Sequence, residues 1–174
     1  MKKFFLILLL ILPYNTFLSQ NINGSFNNFI NKKHTTFLSP GVGIAFRNRY
    51  GEWNNSFNIS VDLNIHSGKG YYTGIGLLNH PVPNNKSNKL TYLYIQERKG
   101  FYLINNFAVF GGIGGTIGVS TKGHPGCCVG GAYFTILASY DLVKYISMGF
   151  EVKSITDFTD VTMIPGFQFI LKFY

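Results

Sequence analysis

The feature that most constrains the fold is a two-residue alternation of apolar and polar side chains, which recurs after residue 35. It is clearest in 53–66, where the odd positions are apolar except Asn55 and the even positions carry Asn, Ser, Asp and His. Successive side chains of a strand point to opposite faces of a sheet, whereas a helix would scatter these polar residues around its circumference. The pattern therefore predicts a strand with one apolar face and one polar face.

Seven further segments repeat this pattern with varying clarity. It is clear in 38–47, 145–155 and 165–173, and weaker in 71–78, 90–98, 101–120 and 128–141. The connections between these segments alternate in length. Short turns are predicted at 67–70, 99–100 and 142–143, and longer polar loops at 48–52, 80–88, 121–126 and 156–160. Eight strands with such connections predict an all-β protein.

Residues 103–119 allow a competing interpretation as a single transmembrane helix, because they are nearly all apolar with small residues at helical spacing. Five glycines between 111 and 118 would each cost such a helix about 1 kcal/mol relative to alanine. Asn105 and Asn106 also interrupt the apolar run. A strand is favoured, with a stripe of small residues facing inward. That stripe consists of Gly112, Gly114, Thr116 and Gly118.

The N-terminal segment has the layout of an export signal. Lys2 and Lys3 precede an unbroken apolar run over 4–12, which Pro13 ends. The run is too short to span a bilayer as a helix. We therefore expect residues 1–19 to be a cleaved signal peptide, with a retained membrane anchor as the alternative. Residues 20–35 form a polar lead-in, for which a short amphipathic helix and a disordered segment are both open.

In combination, the export signal, the even number of strands, the alternation and the unequal connections resemble the small eight-stranded outer-membrane β-barrel proteins. The resemblance covers residues 36–174 and rests on no sequence motif, so it implies an architecture and not one activity. It implies an antiparallel up-and-down transmembrane β-barrel in the cell outer membrane, with short turns toward the periplasm and longer loops outside.

Two features at the strand ends support this resemblance. The last strand carries an outward apolar row, similar to the family's signal for the barrel assembly machinery, which is thus an expected partner together with outer-membrane lipid. That row is Phe167, Phe169, Leu171 and Phe173. Aromatic residues also lie near the predicted periplasmic strand ends, where a membrane interface favours them. They are Phe37, Tyr71, Phe101, Tyr140, Tyr145 and Phe173. The oligomeric state stays open.

The polar faces of the strands are expected to fill the lumen, because an eight-stranded barrel is only wide enough to hold side chains. Charges buried there need partners. We predict a lumen polar network of Asp62, Arg98, Glu151, Lys153, Gln168 and Lys172. Within it Asp62 and Lys172 are expected to lie at similar depth and to pair. Other predicted lumen residues are Arg47, Asn64, Tyr92, Tyr94, Gln96, Asn106 and Tyr133. A proton or ion path is the alternative role of this network.

Catalytic residues are not predicted. His66 and Ser67 are the only adjacent His–Ser pair, and they fall in a short turn at the predicted periplasmic end, far from the outer leaflet. His80 and His124 lie in predicted outer loops without an adjacent Ser and carboxylate to complete a nucleophilic site. The four histidines lack metal-ligand spacing, so neither a metal nor another cofactor is expected. Cys127 and Cys128 are interpreted as small semi-buried residues rather than as a strained vicinal disulfide. Nucleic acid is not an expected partner of an exported chain without a basic binding motif.

The sequence therefore predicts an outer-membrane barrel with a structural or surface-interaction role through its outer loops. The chain carries a net charge of +8, and cations in its tails and loops can contact anionic headgroups. These cations include Lys32, Lys33, Arg49, Lys86, Lys89 and Lys122. One alternative is a barrel enzyme that modifies lipid. A second is a soluble periplasmic β-barrel that binds a small apolar ligand, with its apolar faces turned inward.

Overall fold

Eight antiparallel strands form one closed barrel in the computed structural model. It describes residues 36–49, 52–82, 85–104, 106–120, 129–156 and 160–173. The strands are β1 Thr36–Arg49, β2 Glu52–Gly68, β3 Tyr71–Val82, β4 Asn85–Ile104, β5 Phe107–Ser120, β6 Val129–Val143, β7 Ile146–Thr156 and β8 Asp160–Phe173. Each strand pairs with the next in sequence, and β8 closes the barrel on β1. The signal peptide, the lead-in 20–35 and the two cysteines lie outside the described residues.

The barrel has two distinct ends. The terminal end holds Thr36 and Phe173, together with the connections 69–70, 105–106 and 144–145. The loop end holds the opposite ends of the strands, at Arg49, Glu52, Val82, Asn85, Ser120, Val129, Thr156 and Asp160. By the resemblance above, the terminal end is the expected periplasmic side and the loop end the expected outer side.

The strands tilt strongly relative to the barrel axis, as closure of a sheet into a barrel requires. Following the strand pairing once around from Leu38 returns to Asn48, ten residues further along the same strand. The path passes through Leu63, Ile75, Ile95, Gly115, Ala132, Thr156 and Val161. Each step to the next strand therefore climbs toward the loop end.

The predicted faces of the strands are confirmed: the barrel is apolar on the outside, and its buried polar side chains face the inside. The apolar row of β2 is 38–60% exposed from Trp53 to Ile65, whereas Asn58, Ser60, Asp62 and Asn64 are at most 4% exposed. A soluble protein needs the reverse arrangement. The alternative of a soluble barrel with an apolar interior is therefore wrong, and the exterior is that of a protein surrounded by lipid.

The transmembrane-helix interpretation of 103–119 is also wrong. These residues form the end of β4, a turn and most of β5. In the part of the chain that the structure describes, no helix is long and apolar enough to cross a membrane.

The predicted turn at 99–100 is not a turn, because β4 continues through it to Ile104. The backbone N–H of Gly100 donates to the carbonyl of Gly70 at 2.9 Å. A Cβ at Gly100 would lie 2.5 Å from the ring of Phe110, so this glycine makes room for an aromatic ring. The chain turns instead at 105–106. At the β2–β3 turn, which lies where the sequence predicts it, Gly68 and Gly70 adopt φ of 118° and 78°.

The loop at 80–88 is shorter than predicted, because β3 and β4 extend to Val82 and Asn85 and leave two residues between them. A strand needs about 9–11 residues to cross a bilayer, whereas β4 has 20. Polar residues beyond the membrane thus continue the strand pairing and do not form a separate loop. At the loop end only the connection 121–128 is longer than three residues.

Five of the six predicted interface aromatics lie on the outer surface near the terminal end, between 37% and 53% exposed. They are Tyr71, Phe101, Tyr140, Tyr145 and Phe173. Phe37 is the exception, since it is 4% exposed and faces the lumen, where its ring centroid lies 5.2 Å from that of Tyr72.

We expect Phe150→Arg to destabilise the barrel by about 2–4 kcal/mol, because it places a cation on the lipid-facing surface away from both barrel ends. Phe150 is 45% exposed and its ring packs on that of Phe167, with centroids 5.5 Å apart. The matched control is Tyr145→Arg in the terminal-end turn, where the cost falls to about 1 kcal/mol or less. Denaturant unfolding in lipid vesicles measures both, and equal effects would contradict the assigned depth of Phe150.

Candidate functional site

The lumen is filled by side chains in two hydrophobic clusters with charged residues between them. The cluster toward the terminal end consists of Phe37, Tyr72, Ala108, Phe110, Leu137 and Ile170. The cluster toward the loop end consists of Ala45, Leu78, Tyr92, Tyr94, Tyr133, Ile155 and Ile164. Aromatic rings supply much of this packing, as in the contacts of Phe110 with Phe37 and Tyr72 at 5.9 and 5.7 Å between centroids.

Four charged residues meet between these clusters, and we call them the charge cluster: Asp62, Arg98, Glu151 and Lys153. Lys153 Nζ lies 2.8 Å from Asp62 Oδ2 and 3.4 Å from Glu151 Oε2. Arg98 Nη2 lies 2.7 Å from Glu151 Oε1 and 3.8 Å from Asp62 Oδ1. All four side chains are at most 1% exposed. Two carboxylates and two cations leave no net formal charge in the lumen.

Hydroxyl groups complete the charge cluster. The Tyr94 hydroxyl donates to Asp62, and Thr135 Oγ1 donates to Glu151 Oε1 at 2.5 Å. Lys153 Nζ also donates to Ser60 Oγ at 3.0 Å and to the Tyr94 hydroxyl at 3.1 Å. Buried ions are costly unless their remaining donors and acceptors are satisfied, so these contacts offset part of the desolvation cost of Asp62, Glu151 and Lys153. Arg98 Nε and Nη1 have no hydrogen-bond partner among the described residues.

Two stacked tyrosine rings cover the charge cluster on the side of the loop end. The rings of Tyr94 and Tyr133 are nearly parallel, with an interplanar angle of 12° and centroids 4.4 Å apart. Lys153 Nζ also lies 5.5 Å from the centroid of the Tyr94 ring, which adds a cation–π contact. The stacked pair therefore joins the charge cluster to the apolar packing above it.

The structure brings four of the six predicted network residues into direct ionic contact. Gln168 lies beside them, where its Nε2 donates to Ser60 Oγ at 3.4 Å. Lys172 is elsewhere, since its Nζ lies 2.6 Å from Asp141 Oδ1 near the terminal end. The predicted pair of Asp62 and Lys172 is therefore wrong. Strand tilt is the reason. Each step from β8 to β1 and from β1 to β2 moves toward the loop end, so Asp62 lies nearer to that end than Lys172 does.

Asn106 is also not a lumen residue, because it lies exposed in the turn between β4 and β5. Conversely, Ser60 and Thr135 contact the charge cluster, although the sequence analysis did not name them as lumen residues. The alternation of side chains predicts that both residues point inward. It does not predict their contacts with the charge cluster, because these depend on which strands face one another across the lumen.

An ion pair lies near each end of the lumen. Arg47 on β1 pairs with Asp160 on β8 near the loop end. Near the terminal end Asp141 accepts from Lys172, from Ser147 Oγ at 2.8 Å and from the Tyr102 hydroxyl at 3.4 Å. Sequence reasoning missed Asp141 and Asp160, since Asp141 was placed at the end of a predicted strand and Asp160 in a predicted loop.

The His66–Ser67 pair does not form a catalytic unit. His66 is half-buried and its ring packs against that of Tyr72, with centroids 5.1 Å apart, whereas Ser67 is exposed on the opposite face. Within the described ranges no group of three His, Cys, Asp or Glu residues is placed to hold a metal ion.

Solved structures of outer-membrane barrels are similar to this chain. Neisserial surface protein A (NspA) matches with a TM-score of 0.69 and 9% identity, over 79% of this chain and 97% of that one. Ail, the attachment invasion locus protein of Yersinia pestis, matches with a TM-score of 0.62 and 7% identity, over 80% and 98%. A structure of Ail in complex with the heparin analogue sucrose octasulfate matches with a TM-score of 0.59 and 9% identity, over 80% and 99%.

No protein-family model matches the chain, and no curated protein sequence matches it. Identities this low carry the fold alone. The predicted fold, an eight-stranded barrel of the outer-membrane type, is confirmed.

We expect strong coupling between Asp62 and Lys153 in a double-mutant cycle. Removing one partner leaves an uncompensated buried charge, which costs about 3–5 kcal/mol. Asp62→Asn and Lys153→Met together should therefore cost less than the sum of the single changes, by at least about 1 kcal/mol. Denaturant unfolding in lipid vesicles gives the four free energies.

The matched control pairs Asp62→Asn with Lys172→Met, two charges that do not contact each other. Their effects should add to within about 0.5 kcal/mol. Additivity in the first cycle, or coupling of the same size in the control, would contradict the geometry of the charge cluster.

Proposed function

We propose that this outer-membrane barrel does not conduct solutes and acts through the rim at its loop end. The observation that carries the proposal is the filled lumen. Two hydrophobic clusters and the neutral charge cluster occupy successive levels of the interior, and every residue of these clusters is at most 7% exposed. A barrel of eight strands with this interior leaves its outer surface and its rims as the surfaces that a partner can reach.

The loop-end rim extends beyond the apolar band of the barrel. Trp53 is 60% exposed and lies four residues beyond Phe57 on β2, which is about 13 Å along the strand. The sequence also carries basic residues at the strand ends toward this side, Arg49, Lys86 and Lys89, and one between β5 and β6, Lys122. An exposed indole, together with basic residues in the sequence of this end, suits a polyanionic saccharide, in which sugar faces stack on aromatic rings and acidic groups bind cations.

The similarity to Ail supports this choice of ligand class, since Ail has been crystallised with a sulfated heparin analogue. Surface glycolipid and sulfated glycan share the chemistry of an acidic sugar. A lipid-modifying enzyme is the competing function, and the separation of His66 from Ser67 favours the binding role over it.

The closed lumen predicts that the protein does not release small solutes from vesicles. Reconstituted vesicles loaded with a small dye should retain it as well as vesicles without protein. A 16-stranded porin, whose interior is an aqueous channel, serves as the positive control. Dye release at a rate comparable to that of the porin would overturn the non-conducting role.

The ligand class is tested with sucrose octasulfate and the folded protein in detergent, where both ends of the barrel are accessible. We expect Arg49→Gln with Lys122→Gln at the loop end to weaken binding markedly and to reduce its salt dependence, because ionic contacts are lost. The matched control removes the same number of charges at the terminal end, with Lys69→Gln and Lys144→Gln. Equal losses in both variants would indicate attraction by net charge alone and would contradict a specific rim site.

A further inference from the structure

The strand register leaves one edge of β2 open at the loop end. β2 pairs with β1 from its first residue, Glu52, which lies opposite Arg49, but its pairing with β3 ends at Ile59 opposite Asn79. In the part of the chain that the structure describes, residues 52–58 therefore have a paired strand on one side only. We call 52–58 the open edge, and it is the outer strand of a sheet that continues through β1 to β8.

The backbone groups that face the open edge belong to alternate residues of β2. In an antiparallel ladder the N–H and C=O of one residue point toward one neighbouring strand, and those of the next residue point toward the other. The N–H of Gly100 donates to the carbonyl of Gly70, so the even residues of β3 are directed to β4 and the odd residues to β2. Through the register of Ile59 with Asn79, the odd residues of β2 are directed to β3. On the open edge these residues are Trp53, Asn55 and Phe57.

Prolines around the end of β3 explain why its ladder with β2 stops. Pro81 is an odd residue of β3, and continuing the register by two residues would place it opposite Phe57. Proline has no N–H to donate, and in sheets it is confined to edges. Pro83 follows at the same two-residue spacing in the sequence. Where the two strands separate, Asn58 Nδ2 donates to the Asn79 carbonyl at 3.1 Å, so a side chain replaces the missing strand contact.

The open edge lies outside the hydrocarbon and is directed away from it. The outward row of β3 is apolar through Leu77 and ends with Asn79, whose Nδ2 donates to Thr91 Oγ1 at 2.9 Å. The β2–β3 ladder thus stops where the apolar surface of β3 stops, as it must, because backbone groups in hydrocarbon need partners. Strand tilt moves each step from β2 to β3 toward the loop end, so the side of β2 that faces β3 also faces outward from the membrane.

We propose that the open edge binds an extended, acidic segment of a partner polypeptide, which adds to the sheet as a further strand. Backbone donors and acceptors at the strand repeat are complementary to another extended backbone, and strand addition is an established mode of peptide recognition. Trp53 and Phe57 are 60% and 58% exposed on the outward face of this edge, so apolar side chains of the added strand can pack on them.

Charge favours an acidic segment. In the sequence, 49–58 and 79–91 border the opening and contain three cations and one carboxylate. They are Arg49, Lys86, Lys89 and Glu52. Because opposite charge attracts a partner and like charge repels it, glutamate or aspartate in the added strand is preferred to lysine or arginine. The contacts that define this site are made by the backbone, so the inference does not depend on a saccharide ligand and can fail or hold independently of it.

Fluorescence tests the site, because Trp53 is the only tryptophan of the chain. The probe is a short peptide of alternating valine and glutamate, added to the folded protein in detergent, and we expect a saturable change in emission. The same peptide with every amide N-methylated keeps the side chains and the charge but cannot pair as a strand, so it should not bind. A valine–lysine peptide should bind more weakly. No saturable change with the valine–glutamate peptide, or equal binding of the N-methylated form, would overturn the proposal.

Two substitutions at Asn55 separate backbone pairing from side-chain contact. Its N–H is directed to the open edge and not to β1, so Asn55→Pro removes an edge donor and leaves the β1 ladder in place. We expect Asn55→Pro to weaken peptide binding about fivefold or more, and the matched control Asn55→Ala to change it less than about twofold. Gel migration of unheated samples verifies that both variants are folded. Equal effects of the two variants would overturn the proposal. So would dimers that form without peptide and are lost in Asn55→Pro, since a second copy would then be the occupant.

Discussion

Closure of β8 on β1 is the constraint on which the rest of the molecule depends. A strand in hydrocarbon cannot leave its N–H and C=O groups without partners, and only a closed barrel pairs them all between strands. Closure requires eight strands of sufficient length, and it requires them to tilt, which appears here as the ten-residue displacement between Leu38 and Asn48. Once the strands are closed, every side chain points either to the lipid or into the lumen.

The composition of the lumen follows from this division of the side chains into lipid-facing and inward-facing rows. An eight-stranded barrel is narrow, so the polar rows of all strands converge on a small volume without bulk water. The protein satisfies this condition by matching Asp62 and Glu151 with Arg98 and Lys153, and by closing the space on both sides with aromatic and aliphatic packing. The same rigid filling that stabilises the barrel leaves the rims and the outer surface as places for interaction. The loop-end rim is one such place.

The outer surface of the barrel carries the residue types that a lipid environment favours at each depth. Lipid favours the interface aromatics at the terminal end and the isoleucines above them. An indole at Trp53 likewise suits the interface toward the loop end. The backbone at Trp53 is paired with β1, so a partner there would meet a preformed strand.

The amino-acid sequence by itself determined the architecture and the faces. The period of two in rows such as 53–66 decides which side chains face lipid, because a strand offers only two directions. It therefore placed Asp62, Arg98, Glu151 and Lys153 inward and Phe150 outward without any knowledge of the barrel. The sequence predicted the turns less well. Lys99 and Gly100 were predicted to form a turn, whereas Gly100 accommodates the ring of Phe110 from the next strand.

The depth of each inward side chain and the identity of its partner were decided only by the tertiary structure. Tilt sets the level at which each inward residue meets the opposite wall, so Asp62 reaches Lys153 across the lumen while Lys172 remains near the terminal end with Asp141. The two-residue alternation shows which face of the sheet a side chain occupies but not its depth in the barrel. That depth depends on the register of all eight strands in the closed barrel.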